Sequence, residues 1–173
     1  MRTLGAILAG GKSSRFGSDK AFAELRGETL IEHARAALAG LCDAVIIVGR
    51  EGGIPDWPAP GLGPLGGIAA ALNHALAHGH DQVLTCGVDS VGLPADLRAR
   101  LSPAPAYVAS QPVIGLWPAG SATILEKRLS TDGSHSIRAF AADLAARAVE
   151  LDGSPANINT RADLARLEQH HGL

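Results

Sequence analysis

Between residues 10 and 20 the chain reads Gly10-Gly11-Lys12-Ser13-Ser14-Arg15-Phe16-Gly17-Ser18-Asp19-Lys20. Three glycines leave backbone N–H groups free to converge, Lys12, Arg15 and Lys20 bring positive charge, and Ser13 and Ser14 add hydroxyl donors. A concavity of amides and cations suits an anion, and phosphate is its usual guest. The bland alternative is a basic surface turn. Position favours phosphate: the loop follows an apolar run, Thr3 to Ala9, in a chain that then alternates helix and strand. Two better-known phosphate loops are excluded by counting. A Walker A motif ending in Gly11-Lys12-Ser13 needs a glycine where Ala6 stands, and neither Gly10 nor Gly11 begins a Gly-x-Gly-x-x-Gly fingerprint.

A second chemical position is Asp89, which follows the strand-like run Asp81 to Cys86. Ligands in open α/β sheets bind beyond the carboxyl ends of strands. A carboxylate there can hold Mg²⁺, which takes one or two carboxylates together with phosphate oxygens and waters; the alternative is a turn or cap aspartate. Gly63-Pro64-Leu65-Gly66-Gly67 opens a helix, and its two glycines allow either close approach of a ligand or tight packing of that helix on a sheet. His74 and His78 stand four apart, but no Glu follows His74 and no third ligand is evident, so they read as a surface pair rather than a zinc site.

The elements that must position these residues follow from periodicity. Thr29 with Glu32 forms a capping box for a helix to about Ala39, stopped by Gly40. Ala44–Val48 reads as a strand buried on both faces, parallel to the first by a right-handed crossover. A long glycine- and proline-rich loop, 49–63, precedes the Pro64 helix, which runs to about Ala77. Further helices are expected over 94–101, 121–129, 136–145 and 161–170, the last capped by Thr160 or Asn159. Short strands are expected over 106–109, 112–117 and 148–151. This is one Rossmann-like three-layer α/β/α domain over residues 1–173, with a mostly parallel sheet. Its N-terminal part, about 1–100, carries the phosphate loop and Asp89, and its C-terminal part is about 101–173.

Composition sets bounds on partners. The chain has 173 residues, enough to bury a core, and few aromatics (3%), so that core must be Ala, Leu, Val and Ile. A formal net charge of −2 gives no ground for non-specific nucleic-acid binding, and no apolar run approaches a membrane span. Cys42 and Cys86 lie far apart beside apolar runs and read as buried free thiols of a cytoplasmic protein.

The run Leu8-Ala9-Gly10-Gly11-x-Ser13-x-Arg15-x-Gly17-x-Asp19-Lys20 resembles nucleotidyltransferases that start from an NTP and release pyrophosphate, and within them the molybdenum cofactor guanylyltransferases. The resemblance extends to Asp56, to the Gly63–Gly67 segment, to Asp89, and to the closing Asn157-x-Asn159-Thr160. It implies a nucleotide-diphosphosugar transferase fold and transfer of GMP from GTP to molybdopterin cofactor. It further implies nucleotide contacts at Leu8, Ala9, Gly10, Gly11, Ser13, Arg15, Lys20, Asp56, Gly66 and Asp89. Lys20, Arg15 and Asp89 are the implied catalytic residues, with Mg²⁺ on Asp89. Gln111, Pro112, Asn157 and Asn159 fall on the expected acceptor side, and His135 could face the pterin. Cofactor-delivery proteins or molybdoenzymes are the implied transient partners. The sequence departs from the family at Val88-Asp89-Ser90-Val91, where Cys-Asp-x-Pro is usual, and at Gly49, where some members carry an asparagine. A related transferase using CTP or a sugar phosphate, and a non-catalytic nucleotide-binding adaptor, are the competing readings.

Overall fold

The computed structural model describes residues 1–10, 19–153, 155–158 and 160–170. Within them the chain forms β1 (Thr3–Leu8), a 3-10 turn (Lys20–Phe22), β2 (Glu24–Leu25), β3 (Glu28–Thr29), α1 (Leu30–Ala39), β4 (Ala44–Val48), α2 (Pro64–Ala77) and β5 (Gln82–Gly87). There follow β6 (Ser90–Val91), α3 (Leu97–Leu101), β7 (Ala106–Val108), β8 (Gln111–Pro118), α4 (Ala122–Leu129), α5 (Ile137–Asp143), β9 (Arg147–Val149), β10 (Ala156–Asn157) and α6 (Arg161–His170).

Six strands make the main sheet in the order β4-β1-β5-β8-β7-β9. β1 lies parallel to both β4 and β5, and β7 parallel to β9, while β8 runs antiparallel to its two neighbours. Helices cover both faces. On one, Leu65, Ile68 and Leu72 of α2 and Leu125 of α4 pack on Leu4, Ala6 and Val83; on the other, Ala34 and Leu38 of α1 and Leu97 and Leu101 of α3 pack on Ile7, Leu84 and Leu116. Each such fully buried Leu or Ile contributes about 1.5–3 kcal/mol relative to exposure. The sparse aromatics are concentrated where they anchor α5: Trp117 lies 5.2 Å from Phe140 and donates its ring N–H to Thr85 Oγ1 at 3.0 Å.

Local signals act as expected at several points. Thr29 and Glu32 complete the capping box of α1, and Thr160 and Asp163 cap α6 reciprocally at 2.9 and 3.1 Å. Others shift. β4 ends the sheet, so only Val48 of it is fully buried, and the expectation of burial on both faces fails because one flank has no neighbouring strand. α3 starts at Leu97 rather than Pro94, whose carbonyl instead closes a turn with Leu97 N–H. α5 is shorter than 136–145, because Ser136 is its cap and Ala145 has φ of 50°. The last sheet strand covers 147–149 rather than 148–151. The β2–β3 hairpin and the β6–β10 pair are too short to show a period in the sequence. No helix among the described residues is long and apolar enough to cross a membrane.

Candidate active site

Lys20 opens the 3-10 turn. Asp19 caps that turn by accepting a hydrogen bond from Ala21 N–H at 3.1 Å, and Ala21 is buried beneath it. The side chain of Lys20 reaches across to β5, where Nζ donates to Asp89 Oδ2 at 3.0 Å. Only 22% and 21% of the two side chains are exposed. Gly87 lets Asp89 fold back over the strand end, since a Cβ at Gly87 would stand 2.5 Å from Asp89 Oδ1. The backbone of Asp89 is held from the other side. Its carbonyl accepts from Ile158 N–H at 3.0 Å, and Ser90 pairs with Asn157 across the β6–β10 ladder. Val91, standing where the resembled family has proline, takes part in that ladder, so pairing rather than proline fixes the turn here.

Asp56 stands on the opposite wall. Gly49, at φ of 85°, brings its backbone so close that an added Cβ would meet Gly10 N at 2.9 Å and Asp56 Oδ1 at 3.0 Å. The ends of β1 and β4 are therefore in backbone contact through Gly10 and Gly49. At the start of α2, a Cβ on Gly66 would lie 3.3 Å from Asp56 Cβ, and one on Gly67 would lie 3.1 Å from Leu8 Cδ2. Both glycines thus serve packing. Gly67 also borders the cleft, whereas Gly66 packs against Asp56. Burial pushes the Asp56 carboxyl above its ordinary value, and no described residue donates a hydrogen bond to it.

Two clefts meet at these residues. The first, of about 420 Å³, is lined by Leu8, Gly10, Lys20, Asp56, Gly67 and Asp89 among others. The second, of about 560 Å³, is lined by Ser110, Gln111, Pro112, His135, Ser136 and Arg138. Pro64, Asp89, Val113 and Ile137 line both and form the wall between them. Each volume is in the range that takes a small molecule.

The structure thus brings Leu8, Gly10, Lys20, Asp56 and Asp89 around one cleft and Gln111 and Pro112 around the adjoining one. Ala9 lies between, donating its N–H to Val48 O at 2.9 Å. Gln111 is engaged at both ends of its amide, accepting from Ser90 Oγ at 3.3 Å and donating to Pro155 O, so it ties the β10 segment to Asp89's neighbour. Asn157 is in β10, with its backbone in register with Ser90. Gly11, Ser13, Arg15 and Asn159 lie outside the described residues. His74 and His78 stack 4.0 Å apart, away from both clefts. Sequence reasoning missed Ile137, Ser136 and Arg138. They reach the site because Phe140 docks α5 on Trp117, a contact that no local spacing announces.

Among the described residues no three His, Cys, Asp or Glu side chains are grouped as a metal cage. Asp89 is a single, partly exposed carboxylate on the wall of both clefts. That donor set fits Mg²⁺ arriving with phosphate oxygens and its own waters, and does not fit an ion held by protein alone.

The MobA-like NTP transferase domain matches residues 5–149 of the chain. A molybdenum cofactor guanylyltransferase of Acidiphilium cryptum is 38% identical, with 94% of this chain and 92% of that protein covered. One of Rhodobacter capsulatus is 36% identical, over 97% of this chain and 96% of that protein. Among solved structures, molybdopterin-guanine dinucleotide biosynthesis protein A from Archaeoglobus fulgidus superposes with a TM-score of 0.76 at 21% identity, covering 96% of this chain and 97% of the other. A 2-C-methyl-D-erythritol 4-phosphate cytidylyltransferase from Thermus thermophilus shares the fold at a TM-score of 0.61 and 16% identity, covering 97% of this chain and 98% of that one.

Proposed function

We propose that this chain, which belongs to the MobA-like NTP transferase family, transfers GMP from GTP to the terminal phosphate of molybdopterin cofactor. The observation that carries the reading is the meeting of two clefts at Asp89 and its partner Lys20. A transferase with two anionic substrates needs adjoining pockets and a cation where they join.

In this reading a phosphate oxygen of molybdopterin, entering from the second cleft, attacks the α-phosphorus of GTP in the first. One O–P bond forms, the bond from the α-phosphorus to the bridging oxygen breaks, and pyrophosphate leaves with that electron pair. The attacking phosphate is already ionised at neutral pH, so no general base is required. The task of the protein is therefore to align two anions and offset their repulsion. Lys20 faces the α-phosphate and stabilises charge as the leaving group departs. The amides of Gly10, Gly11 and Ser13, with Arg15, hold the departing β- and γ-phosphates. Asp89 is the residue that would hold Mg²⁺, and the ion would supply further neutralisation of phosphate charge.

Asp56 gives the first cleft a preference among bases. A carboxylate without a donor partner is matched by the adjacent N1–H and N2–H donors of guanine. Cytosine and adenine offer only one amino group at the corresponding edge. Gln111 and Pro112, with the Asn157–Asn159 segment, bound the acceptor side.

The test is pyrophosphate release from each of the four NTPs with molybdopterin as acceptor. Guanine dinucleotide formed from GTP, with the other three at background, is the expected outcome. Preference for CTP, or NTP binding without pyrophosphate release, would replace this reading by the cytidylyl or adaptor alternative.

A further inference from the structure

Arg50 lies just past the end of β4 and touches neither substrate in the reading above, yet its guanidinium grips the turn that carries Lys20 at both ends. Nη2 donates to Asp19 Oδ2, and the guanidinium carbon sits 4.8 Å above the centre of the Phe22 ring. Asp19 is the cap of the 3-10 turn and Phe22 its last residue, so Lys20 is enclosed between the two contacts. The grip has a firm base. Gly49 N–H donates to Ile54 O at 2.8 Å, Ile54 N–H to Ile47 O at 2.9 Å and Gly53 N–H to Arg50 O at 3.0 Å, a tight loop built on the strand. Only 17% of the Arg50 side chain is exposed, and its Nη1 is buried without a hydrogen-bond partner among the described residues. An unfilled buried donor on a cation is unfavourable to stability and calls for another explanation.

We propose that Arg50 is a positioning residue for Lys20. It fixes the turn through Asp19 and Phe22, so that Nζ is held at the junction of the two clefts before substrate arrives. This rests on the reading of Lys20 as the group that faces the α-phosphate. A lysine would not replace Arg50, because its point charge can meet Asp19 but cannot also lie flat on the Phe22 ring.

The placement of Lys20 can be read without any substrate. The chain has three lysines, Lys12, Lys20 and Lys127, and Lys127 on α4 serves as a remote internal control. Reductive methylation with formaldehyde, followed by mass spectrometry, gives the labelling rate at each. In Arg50→Met, Lys20 is expected to label severalfold faster than in the unaltered protein, with Lys127 and the melting temperature little changed. Asp19→Asn, which weakens the same grip from the other side, serves as the second variant should Arg50→Met fail to fold. With GTP and molybdopterin, Arg50→Met should lower kcat roughly 10–100-fold while KM for GTP stays within about twofold, the mark of a misplaced group rather than lost binding. Arg50→Lys should recover only part of that loss. Unchanged Lys20 labelling in both variants, or a rise in KM with kcat intact, would overturn the proposal. Should the unaltered protein transfer no GMP, the labelling result still decides the role of Arg50, so the two readings fail separately.

Discussion

Lys20 Nζ and Asp89 Oδ2 are 3.0 Å apart, and this ion pair joins the turn after β1 to the end of β5 at the wall shared by two clefts. In the proposed reaction a phosphate entering the first cleft would compete with Asp89 for the ammonium, and a divalent cation carried on that phosphate would relieve Asp89 of its partner. In that reaction the pair is a resting arrangement that substrate would exchange for a new set of contacts.

Replacing Asp89 by Asn removes the charge and keeps the shape. Turnover should fall about 10²–10³-fold, comparable to losing one preorganised stabilising group in other enzymes. GTP affinity should also lose most of its dependence on Mg²⁺, measured by titration calorimetry with and without the ion. Equal Mg²⁺ dependence in both proteins would remove Asp89 from the role of ligand.

Asp56→Ala should weaken GTP about 10–100-fold, the effect of losing hydrogen bonds to a charged group, and leave ATP and CTP unaffected. Because burial raises the Asp56 carboxyl above 3.8, GTP affinity should decline as pH falls through that raised value, earlier than an ordinary aspartate would cause. The stability effect has the opposite sense. In the window just above 3.8 the folded state binds more protons than the unfolded one, so the contribution of Asp56 to stability decreases as pH rises through its folded pKa. Asp56→Asn should therefore melt at the same or a higher temperature than the unaltered protein at pH 8, with the difference shrinking toward pH 3. A lower melting temperature for the variant at pH 8 would contradict this.

Gly49→Ala forces a methyl group into a backbone at φ of 85° and within 2.9 Å of Gly10 N. The left-handed conformation and the overlap together should cost about 1–3 kcal/mol, a fall in Tm of roughly 3–10 °C for a chain this size. GTP affinity should drop as well, because Gly10 lines the first cleft. Calorimetric melting and GTP titration check the two parts.

Cys86 is fully buried and burial pushes its thiol up to about 12. Cys42 is less covered than its apolar flanks imply, but burial likewise pushes it up to about 12. Neither should react with iodoacetamide at pH 8 in the folded state, and both should react in urea; alkylation of native Cys86 would contradict its burial.

These residues show how far sequence reaches. The parallel pairing of β1 with β4, the capping box at Thr29, the cap at Thr160, and the cluster of Gly10 and Asp89 at strand ends were legible because each follows from local pattern. Four things were not. The edge position of β4 depends on which strands lack neighbours, which composition does not state. The role of Gly66 and Gly67 depended on which side chain fills the space above them, and that is Asp56 and Leu8. Arg138 and Ile137 reach the clefts only through α5 packing on Trp117, a contact between residues remote in the chain. Arg50 had no motif of its own, since its partners Asp19 and Phe22 lie about 30 residues earlier in a different element.

In the proposed reaction GMP is transferred at the junction held by Lys20, with Lys20 acting on the reacting phosphorus rather than on binding. Single-turnover transfer by Lys20→Ala, with GTP and molybdopterin both saturating and the fold verified by melting, tests it most directly. A loss of roughly 10²-fold or more in the transfer step, with GTP affinity changed far less, is the expected result. Transfer at the rate of the unaltered protein would contradict it.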